Sequence, residues 1–437
     1  MIFESPTQVV QAVNDRMLPA LMRERARLNV IDQWHVGQNA DIQLPHGSTR
    51  EHRALREMAK TPWLSLVVTN VAQALRVDGY HTPTPTDDEA LSTPWRLWNE
   101  NGFPARQGAI YRAALAHGTA YGVGLPGEMG GRRTAVLRGV SARRMLAFYE
   151  DPAEDDWPEM AIIRDSTLRF RVLDDELSWV VDLNEEGAQV SSVSSHGVGR
   201  CPVVRYSNML DLDGRSMGEV EQFIGLARRI DKTTYDRLLV QHFNSWKVRY
   251  IAGMVQPDSV AEAAREKTRL AHEDILVSES VDTKFGALPE TPLSGFIAAH
   301  EADIKTLAAI TQTPVHVLVG DLINLSADAI TAARASLEAK VSERQRSFGH
   351  SHEQLLRLGA QIVGDFGAAE DIMASMSWAD TSIRSLSTAA DALGKIATML
   401  GVPPQALWSR IPGVTDDDVS EWRQMLPDVD SAATPAA

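Results

Sequence analysis

Residues Thr311 to Leu358, TQTPVHVLVGDLINLSADAITAARASLEAKVSERQRSFGHSHEQLLRL, constrain the fold of this chain more than any other stretch: an apolar turn, a short loop, then one long helix. At about 100° per residue, Ile330, Leu337, Val341, Phe348 and Leu355 share a narrow arc, while Glu338, Glu343 and Arg346 point elsewhere. The spacing predicts an amphipathic helix of roughly 30 residues, on the order of 45 Å long. Ser326 is placed to cap its start, and Asp328 lies in the first turn, where a carboxylate complements the helix dipole. In the preceding loop Leu322, Ile323 and Leu325 are apolar, yet the segment is too short to bury them within itself. Those side chains must meet something outside the loop.

The rest of the chain reads as helices, then a sheet, then helices again. Residues 8–27 predict a helix with Val9, Val13, Leu18 and Leu21 on one face and a kink or break at Pro19. Gln38 to Arg50 is loop-like, Leu55 to Val77 is helical and apolar, and the Pro/Thr run His81 to Asp88 closes this unit. Ala105 to His117 predicts a helix capped by Gly118. TAYGVGLPG and TAVLRGVSA predict a β-hairpin; MLAFYED, MAIIRD, LRFRVL, LSWVVDL and CPVVRYS predict further strands, with SSVSSHGVGR a loop. Ser216-Met-Gly-Glu219 has the spacing of a capping box for a helix running to about Ser245. Short strands at KVRYIAGM and TKFGAL flank a helix over about Asp258 to Ala271, and Pro292 to Ile310 is helical. After Leu358 come a glycine-rich stretch, a strand in DIMASMSWAD and helices near 386–400, 403–410 and 416–426. The fold class is therefore α+β and mainly helical.

Several constellations invite an enzymatic reading, and each has a stronger plain one. GVGLPG (Gly122 to Gly127) matches GxGxxG, but glycines stand where a dinucleotide-binding helix would run, so a hairpin fits better. DLDG (Asp211 to Gly214) lacks carboxylates at the first and last positions of a calcium loop and reads as a turn. His350, His352 and Glu353 lack HExxH spacing, His272-Glu273 has no second histidine in register, and all five read as surface residues. Asp416, Asp417 and Asp418 read as a solvated helix start. The single cysteine, Cys201, excludes an intrachain disulfide and reads as a small buried hydrophobe. No GxxxxGK[ST] is present; no catalytic residue, metal site or cofactor is expected. The N-terminal MIFESPTQVV lacks the pattern of a secretory signal, and no run of about 18 apolar residues predicts a membrane span. Arg132, Arg133, Arg143 and Arg144 are the one basic concentration, facing nucleic acid, a neighbouring subunit or solvent.

The T-P-x-x-x-L-x-G turn (Thr313 to Gly320), the short loop, Ser326-x-x-Ala329 and the long helix resemble the core of tailed-bacteriophage portal proteins. The resemblance continues upstream through Asp213 to Met254 and downstream through Trp378 to Leu386, and the order of the pieces carries it. It implies a closed homo-oligomeric ring, in the family usually of twelve subunits, at the portal vertex of the virion capsid, assembled in the host cytoplasm. Double-stranded DNA would pass through the channel. The partners implied are the large terminase, a head–tail adaptor, the major capsid protein and the scaffolding protein, with no membrane. In those terms 1–215 is an N-terminal wing, 216–246 and 292–313 are stem helices, and 247–291 is the clip. Residues 314–327 are the tunnel loop, 328–380 the long wing helix and strand, 381–426 the crown and 427–437 a disordered tail. The channel surface would then include Asp321, Leu322, Ile323, Asn324, Leu325 and Ser326 in the tunnel loop, and Glu301, Asp303 and Lys305 on the stem.

Charge bears on that expectation. The net charge is −15, and residues 361–437 alone carry 4 basic and 11 acidic groups. Such a chain has no footprint for tight, counterion-releasing DNA binding, whereas a ring that lets DNA slide needs weak attraction or mild repulsion. The alternatives are a soluble helical enzyme, a minor capsid protein of unknown activity, or a filament subunit that assembles without closure.

Overall fold

The computed structural model describes residues 2–39, 42–44, 47–82, 92–185, 187–244, 249–252, 284–287, 291–320, 327–379, 386–411, 413–414, 418–419, 421–422 and 425. The chain forms two compact units, one of residues 1–39, 62–227 and 307–437, the other of 40–61 and 228–306. Helices and antiparallel sheets are both present, as the α+β reading expects.

In the first unit the chain begins with α1 (Pro6–Ala12) and α2 (Leu18–His35), joined without interruption through a π-helical turn, Val13–Met17. Pro19 is the physical reason for that turn. Its ring has no N–H to donate and would collide with the carbonyl four residues back, and the wider turn removes the collision. The extra residue also rephases the helix. Val9, Val13, Met17 and Leu21, four apart, lie on one face and are fully buried, so Met17 rather than Leu18 holds the central buried position.

That line packs on a five-stranded antiparallel sheet in the order β4 (Met145–Phe148), β5 (Met160–Arg164), β6 (Arg169–Leu173), β7 (Leu177–Asn184) and β8 (Gly187–Ser195). Met160, Ile162, Phe170, Val172, Trp179 and Val181, alternate residues of the three central strands, supply the buried face. β8 corrects the loop expected at SSVSSHGVGR: all of SSVSS lies in an edge strand, with a bulge opposite Val180 and Val181.

A second sheet has the order β3 (Arg132–Ser141), β2 (Thr119–Met129), β9 (Val203–Ser207). β2 and β3 form the expected hairpin, closed at Gly130 and Gly131, both at positive φ. α5 (Thr93–Glu100), α6 (Phe103–His117) and the long helix α10 (Ala327–Val363) pack around this sheet. Gly122 and Gly124 permit the closest approach: a Cβ on either would stand 2.9 Å from a methyl carbon of Leu355 or Leu358 respectively. The GxGxxG match is thus a strand stripped of side chains where a helix crosses it.

The apolar region at 55–77 divides at Pro62 into α3 (Arg50–Ala59) and α4 (Trp63–Gln73). α4 leads to β1 (Val77–His81), which pairs with β12 (Ser375–Trp378). The capping box is also corrected. Ser216 Oγ donates to Gly118 O, Glu219 is buried elsewhere, and the helix α7 (Ile224–Asn244) starts only after a 3₁₀ turn at Glu221–Phe223.

In the second unit Ile42, Ala59 and Tyr235 form a small core, and β10 (Arg249–Ala252) pairs with β11 (Lys284–Ala287). The helix expected over 258–271, the run DILVSES and His272-Glu273 lie outside the described residues. α8 (Ser294–Ile310), α9 (Val315–Val319), α10 (Ala327–Val363) and α11 (Phe366–Glu370) follow. α12 (Leu386–Leu400) and a 3₁₀ helix at Pro404–Arg410 stand where the C-terminal helices were expected; of 416–426 only 418–419, 421–422 and 425 are described.

Candidate functional site

The turn after α8 is built by its own sequence. Thr313 N–H donates to Ala308 O at 3.0 Å and Gln312 N–H to Ala309 O at 3.3 Å, the paired bonds that end a helix on a left-handed residue. Gln312, at φ 55°, holds the position usually given to glycine. Thr311 Oγ1 donates to Leu307 O at 2.7 Å. Pro314 then starts α9, and Gly320 at φ 75° ends it. The expected tunnel-loop residues Asp321, Leu322, Ile323, Asn324, Leu325 and Ser326 lie outside the described residues. The described chain resumes at Ala327 with a helix of 37 residues, longer than its apolar periodicity implies.

Beneath that junction lies a buried ion cluster. Lys340 Nζ on α10 is 2.6 Å from Glu219 Oε2 and donates to Thr311 O at 3.0 Å. Arg344 Nη2 is 3.3 Å from Glu219 Oε1, and its Nη1 is 3.0 Å from Glu343. Asn208 Nδ2 donates to Glu219 at 3.3 Å. The Lys340, Arg344 and Glu219 side chains are each no more than 5% exposed. A buried carboxylate held by two cations is costly to desolvate and still costlier to leave half-paired. Lys340 also neutralises the negative end of α8 by capping its last free carbonyl. One short polar knot therefore fixes the end of α8, the approach to α7 and the body of α10.

Further along α10, Ser347 Oγ donates to Ser207 O at 2.7 Å and Ser351 Oγ to Arg205 O at 2.8 Å. His352, read from sequence as a surface residue, is fully buried. Its Nε2 is 2.8 Å from the Tyr111 hydroxyl and its Nδ1 2.9 Å from the Tyr206 hydroxyl, while Tyr111 donates to Gln107 Oε1 at 3.1 Å. Since the Tyr111 proton is already committed, Nε2 carries the imidazole hydrogen and Nδ1 accepts from Tyr206. Burial pushes the His352 pKa down to about 3, which leaves the ring neutral. Phe348 stacks on Tyr111 with ring centroids 5.5 Å apart.

Glu301 and Lys305 on α8 are exposed. Asp303 is half-buried and ion-paired with Arg229 on α7 at 2.7 Å. Of the four clustered arginines, Arg132 binds Glu100 and Arg143 binds Asp32 and Asn29; Arg144 donates to Arg164 O, and Arg133 is exposed. They are spread over separate contacts and make no common patch. His350 is exposed, and Glu353 accepts from Met376 N–H. Asp211 accepts from the N–H groups of Asp213 and Arg215, the turn expected at DLDG, and Cys201 is buried. Among the described residues no group of His, Cys, Asp or Glu is placed to hold a metal ion, and no helix is long and apolar enough to cross a membrane.

Sequence reasoning missed Glu219, Lys340, Arg344 and His352. The available signal was their spacing: Lys340, Arg344, Ser351 and His352 fall on the same face of α10 as Leu337, Val341, Phe348 and Leu355. Polar groups inside an apolar stripe are buried with partners or they break it.

A comparison with individual curated proteins finds no match. The profile of the family described as phage portal protein, SPP1 Gp6-like, matches residues 15–431, nearly the whole chain. With that span, and with the turn after α8 and the long helix α10 in the expected order, the chain belongs to the phage portal protein family.

Proposed function

We propose that this protein is the repeating subunit of a closed ring at one capsid vertex, through which double-stranded DNA enters during packaging and leaves on ejection. The observation that carries the reading is the order of elements: α7, a small sheet of β10 and β11, α8, α9, a six-residue stretch 321–326, and α10, within a family match that spans all of them. In this reading α7 and α8 form the stem, the β10–β11 segment forms the clip, and 321–326 is the loop that meets DNA. Residues 1–215 with 328–380 make up the wing and 381–426 the crown. The clip docks the terminase during packaging and the head–tail adaptor afterwards; the wing and crown meet the capsid and scaffolding proteins. The ring does no chemistry itself and serves as a passive gate, and its net charge of −15 suits a surface that DNA slides past. Light scattering coupled to size-exclusion chromatography tests this directly. A ring runs as one species of several hundred kilodaltons with a central hole in negative stain; a monodisperse monomer or an open filament would refute it.

A further inference from the structure

Among the described residues, three of the four outer edges of the three- and five-stranded sheets are capped by side chains. The outer edge of β3 is capped by Asn101, whose Nδ2 donates to Ala135 O at 3.1 Å and whose Oδ1 accepts from Leu137 N–H at 2.8 Å. The outer edge of β9 is capped by the hydroxyls of Ser347 and Ser351 on its carbonyls. On β4 the Ala147 N–H is taken by the Tyr121 hydroxyl. Each cap blunts a row of backbone groups that would otherwise pair with another chain.

β8 has no such cap among the described residues. Leu177 of β7 turns both its backbone groups toward Asp174, its N–H to the carboxylate and its carbonyl to the Asp174 N–H. Its opposite number Ser195 is therefore in a non-hydrogen-bonded pair, and by alternation so is Val193 opposite Trp179. The N–H and C=O groups of Val193 and Ser195 point outward. Apart from the bulge at Ser191, the strand GAQVSSVSS carries none of the usual guards of an edge, having no charge and no proline, and Ser191 to Ser195 are exposed on both faces. Val193 is 52% exposed, on the same face as buried Trp179.

We propose that the outer edge of β8, over Ser191 to Ser195, is a docking site for an extended, uncharged segment of another protein, added antiparallel as a sixth strand of the sheet. Backbone bonds to Val193 and Ser195 supply affinity. The side chains set the partner's chemistry: a β-branched or aliphatic residue beside Val193, alternating with a small polar residue beside Ser192 and Ser194. A second copy of β8 is the weaker occupant. Five exposed residues span about 17 Å, and two such strands bury far less than the roughly 1,000 Å² of a stable interface. A β8-to-β8 pair also needs a two-fold axis, which the proposed cyclic ring lacks, whereas a strand from another protein can be held by its own body elsewhere.

The test is hydrogen–deuterium exchange on the full-length protein with a blocked hexapeptide alternating valine and threonine as probe. Binding at the edge slows exchange in the segment 191–196 by about tenfold or more, and the same peptide N-methylated at alternate residues has no effect. Val193→Pro removes an outward N–H without breaking a bond to β7, so the variant keeps its melting temperature and loses the response. Should Val193→Pro fail to fold, Val193→Lys places a charge at the edge and must also lose it. The proposal is overturned if the probe leaves 191–196 unchanged, or if both variants respond like the parent. Slow exchange at high protein concentration that speeds up on dilution, without probe, would give the edge to a second copy and overturn it equally.

Discussion

Lys340 and Glu219, 121 residues apart in sequence, meet at 2.6 Å in a site where both side chains are almost entirely buried. The pair is not symmetrical in its consequences. Glu219 serves two cations, whereas Lys340 shares its carboxylate with Arg344. Glu219→Ala leaves buried Lys340 without a carboxylate and Arg344 with only the exposed Glu343, and should cost about 3–5 kcal/mol; Lys340→Met leaves Glu219 with Arg344 and should cost clearly less. Urea unfolding of the two variants checks the order, and equal losses would contradict it.

Acid should destabilise the fold through buried histidines. Burial holds His352 at about 3 and His117 at about 4, both below the value near 6.5 of an unfolded chain. Below pH 6.5 the unfolded state takes up protons that the native state refuses, so stability is complete above that pH and falls as pH drops toward 4. Each histidine contributes up to about 1.4 kcal/mol per pH unit in that window. Denaturation at pH 7.5, 5.5 and 4.5 should show a shallower decline for His352→Gln than for the parent. The same slope in both would remove His352 from the account.

The contact between α10 and β2 is tight enough to show coupling. Phe348→Ala and Leu355→Ala should cost about 3–5 and 2–5 kcal/mol, since both side chains are buried. Gly122→Ala should cost about 1–3 kcal/mol by pressing a methyl onto Leu355 and Tyr206. Combined with Leu355→Ala it meets an empty space on one side. The double variant should therefore lose less than the sum of the two single losses, and strict additivity would place Gly122 elsewhere.

The proposed channel can be probed at its loop. Leu322→Lys with Ile323→Lys should leave ring assembly unchanged and slow packaging, because a collar of new cations holds phosphate with strong salt dependence. Nuclease-protected DNA in a packaging reaction at several salt concentrations measures this. Packaging at the parental rate, by intact rings, would mean that the loop does not meet DNA.

What could be read in the sequence depended on whether one local pattern decided the structure. The hairpin at Gly130 and Gly131, the cap at Gly118 and the face of Leu337, Val341, Phe348 and Leu355 each follow from a few neighbouring residues, and all are present. β8 was missed because both faces of Ser191 to Ser195 are exposed, which leaves no alternation to detect. The capping box at Ser216 was misread because a distant pair of cations on α10 outbids the local use of Glu219. Met17 holds the buried position expected of Leu18, although spacing carried the signal: at about 100° per residue Met17 falls between Val13 and Leu21, and Leu18 stands opposite Val9.

The polar residues of α10 have a mechanical consequence. Lys340 and Arg344 share Glu219, and Ser347, Ser351 and His352 engage partners of their own further along the same face, like teeth along a rack. Sliding the helix by one turn, about 5.4 Å, would part His352 from both tyrosines and leave its neutral ring without a partner of the right kind. These contacts thus resist axial creep of the helix over its C-terminal two-thirds. Any movement that begins at Ala327 has to be taken up as bending ahead of Lys340 or carried as rotation of the whole packed body.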